Sequence, residues 1–313
     1  MEEKSAIMFP GVGSQQKNMC KTLFDNYKVF RDTLQEASDI LGYSVENIIY
    51  GSDDDKLNET VFVQPILVAI CVAAYRALCE ELEIYPSYCM GYSLGEYSAL
   101  CASGYISFSD AINLVAKRAK IISDLEKDRN CTMAWVINLD SETIKKLCDE
   151  VNTFSEHKVY LSAYNSEISS SVSGMYEAIK LLEKKVVDYY GIVMPVKVNG
   201  PYHSPLMKNA VDMFTEYVNK ITVQKNSISV LSNKSANIYP TSRDEFIKEL
   251  SLQLVSPLKW KQSINKLLEN NVTKIIEIGP NEVLKYILSQ NTNKIQGFLY
   301  HEQDDINVLI DNF

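Results

Sequence analysis

Short apolar runs along this chain alternate with longer stretches in which apolar residues recur at helical spacing. Ala6-Ile7-Met8-Phe9 is apolar throughout and is followed by Pro10-Gly11-Val12-Gly13-Ser14, which predicts a buried strand, a glycine loop and then a helix. Tyr88-Cys89-Met90 followed by Gly91-Tyr92-Ser93-Leu94-Gly95 repeats that order. Two more buried strands are expected at 228–231 and 274–278, separated by helical stretches at 243–254 and 261–269. Strands alternating with helices imply a mainly parallel sheet covered on both faces.

The middle of the chain has a different pattern. Strands are expected at 132–139, 159–164, 169–173 and 192–198, with helices at 141–151 and 177–190. The resulting order, βαββαβ, is that of the ferredoxin-like unit, for which about 70 residues suffice. Residues 130–198 are therefore expected to form a small ferredoxin-like domain, inserted into a large α/β domain made of 1–129 and 199–313.

Composition narrows the class. A chain of 313 residues with 46% hydrophobic and 23% charged residues has room for a substantial interior. The longest apolar run, 66–75, is about half of the ~20 residues a membrane span needs, so it is expected as a buried helix. Met1-Glu2-Glu3-Lys4-Ser5 has neither the positive region nor the apolar core of a secretory signal. A cytoplasmic location with no membrane partner is the expectation. The net charge of -9 argues against a nucleic-acid partner, and an acidic protein partner would need a local basic patch. Seven scattered cysteines show no metal-ligand spacing and are expected to be reduced thiols; no metal site is expected.

Gly91-Tyr92-Ser93-Leu94-Gly95 fits G-x-S-x-G, the nucleophile elbow of α/β-hydrolase-like sheets, in which small residues let a serine sit on a sharp strand-to-helix turn. Ser93 is the candidate nucleophile. The N–H of the following residue and the start of the helix would both favour a developing oxyanion. Serine needs a base, normally histidine, and the chain has three: His157, His203 and His301. His203 lies in a Gly- and Pro-marked loop, as active-site residues often do. His301 occupies the chain position of the base in a hydrolase triad, although its neighbours Glu302, Asp304 and Asp305 read as a solvated end. Residue logic leaves both open.

Four separated segments together resemble one family. Phe9-Pro10-Gly11-Val12-Gly13-Ser14-Gln15 is similar to FPGQGSQ, residues 91–100 (GYSLGEYSAL) to GHSLGEYSAL, residues 202–207 (YHSPLM) to FHSPLM, and residues 277–284 (EIGPNEVL) to EVGPGKVL. These are motifs of the malonyl-CoA:acyl-carrier-protein transacylases of fatty-acid synthesis and the related acyltransferases of polyketide synthesis. The resemblance implies transfer of a malonyl-type group from coenzyme A to the phosphopantetheine thiol of an acyl carrier protein, through an acyl-serine. Coenzyme A is then a substrate, and no resident cofactor is implied.

Carried over by residue, the resemblance makes Ser93 the nucleophile and His203 its base, with the imidazole held by a backbone carbonyl at Gln253. It puts the oxyanion on the N–H groups of Val12 and Leu94 and the acyl carboxylate on Arg118. Gln64, Tyr92, Asn165 and Tyr202 would line the pocket, Gln64 and Asn165 having turn or capping roles as alternatives. A guanidinium suits the carboxylate role because its planar fork makes two charge-assisted hydrogen bonds. Three positions depart from the family pattern: Val12 stands for a glutamine, Tyr92 for a histidine and Asn281 for a glycine. A backbone donor survives the first change, the second alters the acyl pocket, and asparagine tolerates positive φ at the third. The rivals are an editing hydrolase that strips acyl groups from carrier proteins, a non-catalytic carrier-docking protein, and an esterase using His301.

Overall fold

The structure, a computed structural model, describes residues 4–127, 130–196, 198, 200–224 and 228–313. The chain divides into two compact units, one of Met1–Ala119, Lys220–Leu231 and Lys266–Phe313, the other of Lys120–Asn219 and Ser232–Asn265.

In the first unit, five strands pair in parallel in the order β7-β2-β1-β8-β9. They are β1 (Lys4–Phe9), β2 (Tyr88–Gly91), β7 (Ser229–Val230), β8 (Val272–Ile278) and β9 (Gln296–Tyr300). Ala6, Ile7, Met8 and Phe9 are all fully buried, so β1 is covered on both faces, which is why it reads as an unbroken apolar run. The mixed α/β architecture with a parallel sheet is as expected, and the four anticipated strands fall in it. β9 was not anticipated: it buries only Phe298 and Tyr300 while Gln296 is exposed, so this edge strand leaves an apolar run of only three residues, Phe298-Leu299-Tyr300. β7 is two residues long, although Leu231 N–H still donates to the Cys89 carbonyl at 3.0 Å.

The apolar run at 66–75 lies inside a helix of 22 residues, Thr60–Glu81. That helix is long and apolar enough to cross a membrane, but 78% of its most apolar window is buried within the fold. It is apolar all round because it is a core helix.

In the second unit, β3 (Cys131–Ile137), β4 (Val159–Ser166), β5 (Ser169–Met175) and β6 (Ile192–Val196) form an antiparallel sheet in the order β4-β5-β3-β6. Helices Ser141–Phe154 and Tyr176–Val187 fall between the strands in the expected βαββαβ sequence. Their inner faces, with Ile144, Leu147, Val151, Leu182 and Val186, pack on Ala134, Val136, Leu161 and Val172 of the sheet. Asp140 starts the first of these helices by accepting the N–H groups of Glu142 and Thr143 at 3.0 and 2.9 Å. Residues 197 and 199 of the expected final strand and loop lie outside the described residues.

This compact unit is broader than residues 130–198. It takes in Ser232–Asn265, where Leu258 bridges the edge strand β4, donating to Ser162 O at 2.9 Å and accepting from Tyr164 N–H at 2.8 Å. An exposed strand edge carries unpaired donors and acceptors, and this segment satisfies some of them.

Candidate active site

The Ser93 turn is built by glycines at close backbone approaches. A Cβ on Gly91 would lie 2.0 Å from the Gly95 carbonyl, and one on Gly95 would lie 2.1 Å from the Phe9 carbonyl oxygen. Only glycine lets β1, the end of β2 and the Gly95–Ala102 helix come so close. Between those glycines Ser93 is held at φ 54, a left-handed conformation that is costly for a side chain with a Cβ. Tyr92 N–H donates to Phe9 O at 2.9 Å, and the Ser93 carbonyl accepts from Glu96 N–H at 3.2 Å, which ties the turn to the strand and to the helix start. Ser93 and Tyr92 are half-buried, Leu94 is buried, and the hydroxyl is at the positive end of the helix.

The loop after β1 meets this turn. A Cβ on Gly11 would sit 2.5 Å from Tyr92 O and 3.6 Å from Leu94 N, so the backbone just before Val12 runs beside the N–H that follows the serine. Ser14 closes the loop by donating its hydroxyl to Gly11 O at 2.7 Å. The Asn281 amide donates to Ser14 O at 3.3 Å.

Arg118 is 1% exposed, on the Phe108–Glu126 helix, and its Nη1 donates to the Gln64 side-chain oxygen. A guanidinium only donates, so the Gln64 oxygen faces it and the amide nitrogen is turned away. Gln64 is fully buried inside the Thr60–Glu81 helix, which corrects the alternative that it is a turn or cap residue. The Arg118 Cζ also stands 5.7 Å from the centroid of the Tyr97 ring. Sequence reasoning passed over Tyr97, which lies on the Gly95–Ala102 helix that follows the Ser93 turn.

His203 belongs to the second unit and is 2% exposed at φ 61. Its N–H donates to Leu254 O at 2.9 Å, and its Nδ1 is 2.9 Å from the Gln253 carbonyl oxygen. A carbonyl only accepts, so Nδ1 carries the proton and the neutral ring keeps its lone pair on Nε2. That is the tautomer a general base needs, and here a backbone carbonyl selects it. Gln253 is fully buried in a short turn, Gln253–Val255, that ends the Arg243–Leu252 helix. The Tyr202 ring is buried with its centroid 6.4 Å from that of His203. Asn165, on β4, is fully buried and donates to Ser171 Oγ on β5 at 3.1 Å, a bond across the sheet.

The remaining candidates are engaged elsewhere. His301 Nδ1 is 2.8 Å from Asp305 Oδ2, and that hydrogen bond is the main cause holding its pKa above the usual histidine value. His157 sits half-buried in the turn after a helix, its N–H on Ser155 Oγ at 3.1 Å. All seven cysteines are free thiols, and burial pushes Cys71, Cys89, Cys101 and Cys148 up to about 12, far from the thiolate range at neutral pH. Among the described residues, no group of three His, Cys, Asp or Glu could hold a metal. Glu277, in the fourth resembling segment, is fully buried and accepts the N–H groups of Leu284 and Lys285 at 3.0 and 2.7 Å, capping the helix Val283–Asn291.

Residues 7–306 match the acyl transferase domain family. The chain is 31% identical over 308 residues to the malonyl CoA-acyl carrier protein transacylase of Bacillus subtilis strain 168, covering 98% of this chain and 96% of that protein. It is 30% identical over 311 residues to the one of Haemophilus influenzae, covering 98% of each. Among solved structures, a malonyl-transacylase in complex with its type II PKS acyl-carrier protein superposes with a TM-score of 0.95 at 30% identity, over 99% of this chain and 100% of that one. FabD from Acinetobacter baumannii superposes with a TM-score of 0.94 at 27% identity, over 99% and 98%.

Proposed function

Because this chain belongs to the acyl transferase domain family, we propose that Ser93, His203 and Arg118 carry its reaction, with the roles that follow. The chain is a malonyl-CoA:acyl-carrier-protein transacylase: it moves a malonyl group from coenzyme A to the phosphopantetheine thiol of a carrier protein. The single observation that carries the site assignment is the strained Ser93 turn, held between Gly91 and Gly95 where only glycine fits.

In the first half-reaction His203 Nε2 takes the Ser93 proton as Oγ bonds to the thioester carbon. The carbonyl electron pair moves onto oxygen, where the N–H groups of Val12 and Leu94 stabilise it. The intermediate collapses, the C–S bond breaks, and the departing sulfur takes the proton from His203. Coenzyme A leaves and malonyl-serine remains. In the second half-reaction His203 removes the proton of the carrier's thiol, the thiolate adds to the acyl carbon, and Ser93 leaves with that proton. The Nδ1 bond to Gln253 O supports this role, since it stabilises the imidazolium formed in each half. Arg118, buried and supported by Gln64, grips the malonyl carboxylate through two charge-assisted hydrogen bonds. Coenzyme A enters as part of the substrate. Tyr92, Asn165 and Tyr202 belong to the acyl pocket in this reading.

The strand order β4-β5-β3-β6 supports a ferredoxin-like domain over 130–198, and the parallel sheet behind the Ser93 turn supports a hydrolase-like large domain built around that sheet, with less of the chain than 1–129 and 199–313. The reaction's substrates fit a cytoplasmic location.

The test supplies malonyl-CoA or acetyl-CoA with and without holo acyl carrier protein. Malonyl should appear on the carrier, with malonyl preferred over acetyl and little free acid released. Rapid release of free acid without carrier loading would identify an editing hydrolase instead.

A further inference from the structure

We propose that Tyr97 is a positioning residue that fixes the Arg118 guanidinium for a substrate carboxylate, so that preference for a carboxylate-bearing acyl group over a neutral one depends on the aromatic face at position 97. The inference rests on the reading of Arg118 given above. Tyr97 N–H donates to Leu94 O at 3.1 Å, so its backbone is continuous with the turn that carries the nucleophile. Its side chain is fully buried, and so is Arg118, whose Cζ lies 5.7 Å from the ring centroid while Nη1 donates to Gln64. An aromatic face attracts a cation through its quadrupole, and the attraction strengthens when both partners are out of water.

The chemistry of these supports matters as much as their position. Burial pushes the Tyr97 phenol well above its ordinary range, with the charge of Arg118 and a side-chain hydrogen bond to it only partly opposing, so the ring is neutral at working pH. A neutral ring and a neutral amide hold the guanidinium without cancelling its charge. A carboxylate in either place would form an internal ion pair and compete with the acyl carboxylate for the same donors. Tyr97 also belongs to the short Gly95–Ala102 helix that begins at the Ser93 turn. The helix that starts at the nucleophile's turn therefore also carries the ring that faces the cation, which helps fix the reach between them, as a substrate with a single methylene between its thioester and its carboxylate requires.

The test compares acyl-serine formation from malonyl-CoA and acetyl-CoA by single-turnover kinetics in wild type, Tyr97→Phe and Tyr97→Leu. Tyr97→Phe keeps the ring and should hold the malonyl-to-acetyl ratio of kcat/KM within about threefold of wild type, whereas Tyr97→Leu should lower it about tenfold, mostly through malonyl KM. Should Tyr97→Leu not fold, phenylalanines of increasing fluorination at position 97 keep the shape while weakening the ring's quadrupole, and the ratio should fall stepwise along that series. A ratio unchanged in Tyr97→Leu, or flat along the fluorinated series, overturns the inference while leaving the acyltransferase reading intact. No acyl-serine in wild type with either thioester would overturn both.

Discussion

At position 95 a single methyl group would have to occupy space 2.1 Å from the Phe9 carbonyl oxygen. Backbone cannot yield as a side-chain end can, so Gly95→Ala should lower stability by about 3 kcal/mol, read from the shift of a urea unfolding midpoint. In the proposed role Arg118 makes two charge-assisted hydrogen bonds to the acyl carboxylate, each worth ~1.5–3 kcal/mol, so Arg118→Ala should lower malonyl kcat/KM at least about 100-fold and acetyl kcat/KM much less. Steady-state assays with both thioesters check this, and equal losses would mean that Arg118 does not read the carboxylate. Removing the proposed base, His203→Ala, should cost ~10²–10⁴-fold in transfer, while His301→Ala, which breaks the pair with Asp305, should leave transfer near wild type. The reverse pattern would favour the esterase reading. Ser93 and His203 were legible in the sequence because each lies in a short Gly- or Pro-marked motif, and the glycines around Ser93 are required by the close backbone approaches there. Tyr97 was not, because its importance comes from a ring packed against a cation on another helix, a contact that leaves no local pattern.

Glu277 shows what an element-scale feature adds. Burial pushes its carboxyl up to about 7, against two backbone N–H bonds that favour the charged form. The nearby charges of Glu282 and His301 act on it in opposite directions. Its folded value lies above the ~4.3 of an unfolded glutamate, so the native state binds more protons between those values. The linked stability is present in full below about 4.3 and is lost as pH rises through about 7, amounting to a few kcal/mol on the order of 2–4. The Tm of wild type should therefore fall, relative to Glu277→Gln, as pH is raised from about 4 to about 7. Parallel Tm curves for the two proteins would remove Glu277 as the cause. In the sequence this glutamate is only one letter of a motif, since its burial follows from β8 lying inside the sheet. Strands covered on both faces, such as β1 and β8, announced themselves as apolar runs. Edge strand β9 stayed hidden because only two of its five residues are buried, and the Thr60–Glu81 helix ran past its apolar core because Gln64 and Arg76 interrupt the run without ending the helix.

On the scale of the whole molecule, alternating strand and helix signals foretold the parallel sheet, and the change of rhythm after residue 130 foretold the antiparallel one. What the rhythm did not foretell is that Ser232–Asn265 joins the second unit, since one bridge from Leu258 to β4 and the turn at Gln253 leave no periodic trace. That segment holds the carbonyl that orients His203, so the placement of this imidazole depends on chain far from it in sequence. The central claim is that the acyl group resides on Ser93 between the two half-reactions. Intact-mass and peptide mass spectrometry after brief exposure to malonyl-CoA tests it most directly. A single malonyl adduct on the Ser93 peptide, discharged when holo acyl carrier protein is added and absent in Ser93→Ala, is the result expected; transfer to the carrier that persists in Ser93→Ala, or no adduct in wild type, would contradict it.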